Sequence, residues 1–315
     1  MPACWACTQR HERMKSASQP GWSGAAFATL LLVAFMMGAN HVAARIAFNH
    51  GVDVVTAVTS RSLVTAMVVA LILWHQKVVW RFSPRSRRYL PLIGGLIAVQ
   101  SVCLYSAVAR LPVALALLAF NTYPLTTALW ARVIYGHRPE RAVLRAMPVL
   151  MVGLALALDV LGAASGLGAA QQWQQIGVGV AFALAASGTF GLALVFTQHE
   201  TMDVDGRLRT FTSLATVGVL AVSVALSQDG FHLPNATAGW WGLALLTFLY
   251  GTAFTIMFTV LPKLGVVGNS AIMNVEPVFA LVLAWAVLGQ SIAWVQLVGA
   301  LLVVATVMWL GLRKR

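Results

Sequence analysis

Leu111-Pro-Val113, Asn121-Thr-Tyr-Pro124 and Gly136 recur 153 residues further along as Leu264-Gly-Val266, Asn274-Val-Glu-Pro277 and Gly289. The shared skeleton is L-x-V-x7-N-x-x-P-x11-G, and at the same offset Gly38 falls on Gly191. Alanines and valines coincide by chance in apolar stretches, so they carry little weight. The paired N-x-x-P elements followed by glycine carry more. The loops between them do not match, as expected when packing and a central site are what is duplicated. The chain thus divides into a polar tail (1–21) and two halves, 22–161 and 174–312.

Of 315 residues, 59% are apolar and 10% are charged, against about 25% charged in soluble domains. So few charges do not cover a water-facing surface. The apolar residues come in blocks of roughly 18 to 25, the length that crosses about 30 Å of hydrocarbon. Ten helices are predicted, at 22–47, 53–74, 89–109, 112–135, 143–161, 174–198, 209–227, 237–261, 264–288 and 292–311. Charge, Pro and Gly clusters such as Arg85-Ser-Arg87-Arg88, Arg110-Leu-Pro112 and Pro262-Lys263 separate them. The first block is too long for the apolar core of a signal peptide and is read as a retained helix.

The net charge of +12 forms neither a groove nor a stripe, so no nucleic-acid partner is expected. Seventeen of the 21 Lys and Arg fall on the side of the termini, one (Arg110) on the other, and three (Arg45, Arg61, Arg132) within helices. This bias predicts that both termini are cytoplasmic and that the number of crossings is even. Each half then has five helices, so the second enters from the opposite face. The predicted fold is an all-α integral membrane protein of two inverted five-helix repeats, which places a solute site near the midplane between the halves.

Cys4-Trp-Ala-Cys7 lacks the thioredoxin-like context or second ligand pair that a redox or metal reading needs. It is read as part of an incidental tail, and Met14 is an alternative start that would remove it. Cys103 lies within an apolar block. No metal or cofactor is implied.

At this point the chain resembles the EamA-type members of the drug/metabolite transporter superfamily over about 22–312. The residues carrying the likeness are Arg61, the Leu-Pro-Val-Ala-Leu-Ala run from Leu111, Pro124, Met273-Asn-Val-Glu-Pro-Val-Phe-Ala280 and Leu288-Gly289. The resemblance implies a ten-helix carrier of a bacterial inner membrane with a central cavity between its halves. It also implies gradient-driven movement of amino acids, metabolites or drugs without ATP. Many such proteins have glutamate after the glycines that end the fourth and ninth helices. Here those positions are His137 and Gln290, and no glutamate role is carried over.

Glu276 is the only acidic residue well inside an apolar block. An unpaired carboxylate there costs several kcal/mol, so it should face protein or a water-filled cavity. One reading makes it a proton-coupling or cation-binding group. The other makes it a protonated acid bonded to a neighbouring helix. Pro124 and Pro277 are expected to break their helices, freeing the carbonyls of Phe120 and Met273. Asn121 and Asn274, three residues earlier, either satisfy exposed backbone or bind solute. Arg61 either anchors a substrate carboxylate or phosphate, or pairs with Glu276, or snorkels outward. Arg45 and Arg132 are expected to snorkel. Asn40 and His41 lie on the first helix, with His41 and Arg45 sharing a face at i, i+4 and His41 able to titrate near neutral pH. Ser187-Gly-Thr189-Phe-Gly191 reads as a close-packing surface. Tyr105, Tyr123, Trp130, Tyr250 and Trp285 either stack on a ligand or belong to interfacial belts.

No phosphate-binding loop, zinc-protease or nucleophile-elbow signature is present, and His199-Glu200 lacks a second histidine. The protein is therefore read as no enzyme. It is read as a secondary transporter in contact with the lipid bilayer, exporting a small metabolite or amino acid by proton coupling. A drug exporter of the same fold and a non-transporting membrane scaffold are the alternatives.

Overall fold

The computed structural model describes residues 24–138, 141–162, 165–228, 230–260 and 275–312. The N-terminal tail with Cys4, Cys7 and Met14, Pro262-Lys263, Asn274 and the C-terminal basic run lie outside these residues.

Among the described residues the chain is all helix. In order these are α1 (Gly24–Asn49), α2 (Val54–His75), α3 (Pro84–Arg110), α4 (Val113–Phe120), α5 (Tyr123–Tyr135), α6 (Arg141–Ala157), α7 (Ala169–Glu200), α8 (Gly206–Ser227), α9 (Thr237–Thr259), α10 (Glu276–Leu288) and α11 (Trp294–Leu312). Taking α4 and α5 as one span, seven stretches among the described residues are long and apolar enough to cross a membrane, with Glu276–Leu288 and Trp294–Leu310 as shorter apolar helices.

Two expectations about boundaries change. The third helix was expected from residue 89, but it starts at Pro84. Ser83 caps it, its hydroxyl accepting from the Ser86 N–H at 3.1 Å, and Pro84 occupies the first turn, where no N–H is needed. Arg85, Arg87 and Arg88 therefore ride on a helix rather than a loop. The fourth helix was expected as one kinked element, and it is two. α4 ends at Asn121, and Pro124 lies in the first turn of the separate helix α5. Pro277 stands in the same place in α10.

The repeated glycines have a common job. Gly136 (φ +70°) and Gly289 (φ +63°) sit in the left-handed region just past α5 and α10. The next residue's N–H reaches back six positions, His137 to the Ala131 carbonyl and Gln290 to that of Ala284, each at 3.2 Å. These are left-handed helix stops, which favour glycine because it has no Cβ.

The helices pack mainly across the halves. α1 lies on α9 and α10, while α7 lies on α3, α4 and α5. α2 packs on α8 and α6 on α11. Exchanging the halves leaves this pattern unchanged. The closest approaches show the same exchange. A Cβ on Gly38 would stand 3.0 Å from the Ala280 nitrogen and the Glu276 carbonyl, and one on Gly191 would stand 2.8 Å from the Thr127 nitrogen and 2.5 Å from the Thr126 hydroxyl. Thr127 and Ala280 are themselves 153 positions apart. The first helix of each half thus seats its glycine on the backbone of the other half's broken helix.

Gly188 and Gly191 do not form one sliding surface, because nothing lies within 4 Å of a Cβ on Gly188. Gly191→Leu should therefore lose about 2 kcal/mol or more of stability through overpacking against backbone, while Gly188→Ala should be close to neutral. Unfolding of the two purified variants in detergent checks this; equal losses would contradict the packing.

Candidate functional site

The backbone break after α4 has to be satisfied without water. The Asn121 N–H and its side-chain Nδ2 both donate to the Leu117 carbonyl, at 2.9 and 2.8 Å. Thr122 donates its hydroxyl to the Ala119 carbonyl at 2.8 Å and lies 2.9 Å from the Ser187 hydroxyl. Thr126 donates to the Ser187 carbonyl and the Trp130 indole to that of Gly188, at 2.8 and 3.0 Å. The Asn121 amide nitrogen thus serves the backbone of its own helix, and Trp130 fastens α5 to α7. Tyr123 joins Phe120 and Phe190 in an aromatic cluster, and Trp285 is exposed on the bundle surface. Arg45 is half-buried and caps the end of α3, donating to the Val108 carbonyl at 2.7 Å. Arg132 is exposed.

A polar cluster forms in the bundle interior where α1, α2, α3, α9 and α10 meet. Asn40, His41, Arg61 and Tyr105 are all buried there, and Tyr250 nearly so. His41 Nε2 stands 3.2 Å from Glu276 Oε1. Because Glu276 opens α10, its carboxylate lies at the positive end of that helix's dipole. The Tyr105 hydroxyl donates to Asn40 Oδ1 at 3.1 Å, and the Tyr105 ring meets His41 edge-on. The sequence places Glu276 near the middle of a helix; here it stands at a helix start beside the break.

The expected Arg61–Glu276 pair does not form, since Glu276 is taken by His41, and Arg61 does not snorkel, being 4% exposed. Its guanidinium carbon instead lies 4.3 Å from the ring centres of both Tyr105 and Tyr250. Desolvated cation–π contacts are worth about 2 kcal/mol each, whereas burying a cation costs several. The rings offset only part of that cost. Around Arg61 several buried polar atoms have no partner among the described residues: Asn40 Nδ2, His41 Nδ1, Arg61 Nε and the hydroxyls of Thr59, Ser62 and Thr65. The Thr59, Ser62 and Thr65 hydroxyls were not singled out from sequence, although Thr65 lies one turn beyond Arg61 and shares its face.

Both ends of the bundle are tied across the halves. At the more basic end, buried Glu200 of α7 accepts from Arg85 of α3, with Arg85 Nη2 at 3.0 Å, and from the Tyr135 hydroxyl of α5. His199 stacks on Tyr135 at 4.1 Å, with His137 beside them. Nearby, hydrogen bonds from Arg207 hold the Asp205 carboxyl below the usual carboxylate range. His199-Glu200 meant little in the sequence because its partners lie more than 60 residues away. At the other end, Gln290 Oε1 accepts from the Val113 N–H at 3.2 Å, and the His50 carbonyl accepts from the Asn235 N–H at 3.0 Å. Among the described residues no three His, Cys, Asp or Glu side chains are arranged to hold a metal ion.

The family model of the EamA-like transporter family matches residues 23–158 and again 177–312. The chain belongs to that family, a family of multi-pass membrane transporters of the drug/metabolite type. No curated protein matches the chain. Among solved structures, one titled "Crystal structure of protein" aligns with a TM-score of 0.58 and 18% identity, covering 91% of this chain and 98% of that one. That likeness is one of fold.

Tyr105→Phe keeps the ring over Arg61 but leaves the buried Asn40 Oδ1 without its donor. It should cost about 1–3 kcal/mol, read by unfolding in detergent; unchanged stability would mean the Tyr105–Asn40 bond contributes nothing.

Proposed function

We propose that the protein is a gradient-driven secondary transporter, an exporter of a small metabolite or amino acid. We infer ten crossings as two inverted repeats in a bacterial inner membrane, with both termini and the Glu200 end facing the cytoplasm. The charge bias of the loops supports that orientation.

The observation that carries the reading is the His41–Glu276 pair, with His41 buried and Glu276 partly exposed. It joins the first helix of one half to the broken helix of the other, beside unpaired donors in the bundle interior. Alternating access rocks the halves against each other, so a cross-half pair is formed and broken in each cycle. The pair holds a proton in either of two ways, as imidazolium with carboxylate or as imidazole with carboxylic acid. The titratable or charged groups around it are Arg61, Tyr105 and Tyr123. Separating the pair in the open state lets the proton exchange with water, and that exchange couples solute flux to the proton gradient. Opening toward the cytoplasm must also break the Arg85–Glu200–Tyr135 tie, and opening outward the Gln290–Val113 bond.

The test is Glu276→Gln in proteoliposomes. Solute counterflow should persist while accumulation driven by an imposed pH gradient is lost. Unchanged gradient-driven flux would remove proton coupling through Glu276. Absence of exchange by the wild-type protein across a broad panel of amino acids, metabolites and drugs would favour a non-transporting scaffold.

A further inference from the structure

Arg61 is a buried cation whose counter-anion is missing from the chain's described residues. Its guanidinium has no carboxylate within ion-pair distance, because the nearest interior acid, Glu276, faces His41. The other described acids, Asp53, Asp159, Glu200, Asp203 and Asp205, stand at helix ends and in the loops. Tyr105 and Tyr250 each approach the guanidinium carbon to 4.3 Å. With rings on it, an acceptor approaches the guanidinium best in its own plane, at the edge. Nε on that edge has no partner. Asn40 Nδ2 on α1 and the Thr65 hydroxyl one turn along α2, both fully buried, are donors without a partner among the described residues.

We propose that the edge of Arg61 is the head-group site of this chamber and that it takes a single carboxylate. This rests on reading the central cluster as the solute site. A planar carboxylate meets the guanidinium fork with two parallel hydrogen bonds in the plane that the rings leave open. Charge separates it from a phosphate. One uncompensated cation is neutralised by one monoanion, while a phosphate dianion would carry an excess charge into the bundle interior. Tyr105 meets Arg61 at its ring face and His41 edge-on, so one ring borders both the head-group site and the His41–Glu276 pair. A carboxylate bound at Arg61 thus sits one ring from the proton-carrying pair, and solute and proton occupy adjacent compartments.

The experiment compares acetate, L-leucine and benzoate with acetamide, leucinamide and benzamide. Each is added to purified protein in detergent while the unfolding temperature is read, and each is then tested for counterflow in proteoliposomes. At least one carboxylate should raise the unfolding temperature by several degrees where its amide does not. Arg61→Gln should abolish that shift. Arg61→Lys, which keeps the charge and guards against misfolding of the glutamine variant, should weaken binding roughly tenfold because the fork is lost. Equal shifts by acid and amide, a shift that survives in Arg61→Gln, or no shift with any of the three carboxylates would overturn the proposal. Counterflow of the amides that is indifferent to Arg61→Gln would remove the carboxylate site and keep the transporter. Carboxylate binding at Arg61 without counterflow of any of the six would keep the site and remove the transporter.

Discussion

A helix interrupted inside a bilayer exposes peptide groups that lipid cannot satisfy. In this protein that constraint organises the rest. The turn at Asn121-Thr122 is satisfied locally by Asn121 and Thr122 and, from the other half, through Thr122 and Ser187. The α7 helix must therefore lie against the break, and it can do so only because Gly191 has no side chain. The same arrangement brings Gly38 onto the start of α10. His41, one turn along α1, then falls beside Glu276. The interior charge pair is thus a consequence of how a broken helix is sealed.

The same geometry separates two kinds of polar chemistry. Glu276 and His41 stand 3.2 Å apart, and Asn40 and Tyr105 share a hydrogen bond. Arg61 has aromatic faces but no anion. A structural arginine in a membrane protein normally ends on a carboxylate or on helix-end carbonyls, as Arg45 does on Val108. Arg61 does neither, although it is the more deeply buried of the two. The two arginines, 16 positions apart in the sequence, thus differ in their partners among the described residues.

Much of this architecture could be read from the letters. Apolar block lengths located the spans, and the N-x-x-P and glycine spacing located the duplicated break, because both are local. What was not legible depended on distant partners. The sequence pointed to Arg61 as the partner of Glu276, and the crossing of α1 over α10 gives it His41 instead. That the Asn121 amide bonds back to Leu117 was not legible either, because it depends on the helix stopping there. Glu200 carried no signal, since its role depends on Arg85 and Tyr135. The early start of α3 was in the sequence as Ser83-Pro84, but a run of basic residues reads as loop when hydropathy alone is weighed.

The reciprocal seating of each first helix on the opposite half also bears on biosynthesis. His41 leaves the ribosome 235 residues before Glu276. At roughly 5–20 residues per second that interval is on the order of ten seconds to nearly a minute. Throughout it the first helix has no glycine seat, and its imidazole has no carboxylate. The nascent bundle must persist in the bilayer as an incomplete intermediate, and assembly finishes only when the ninth stretch slots in. A five-helix half made by itself would keep that unfinished surface, so two such peptides could be stable only as obligate companions.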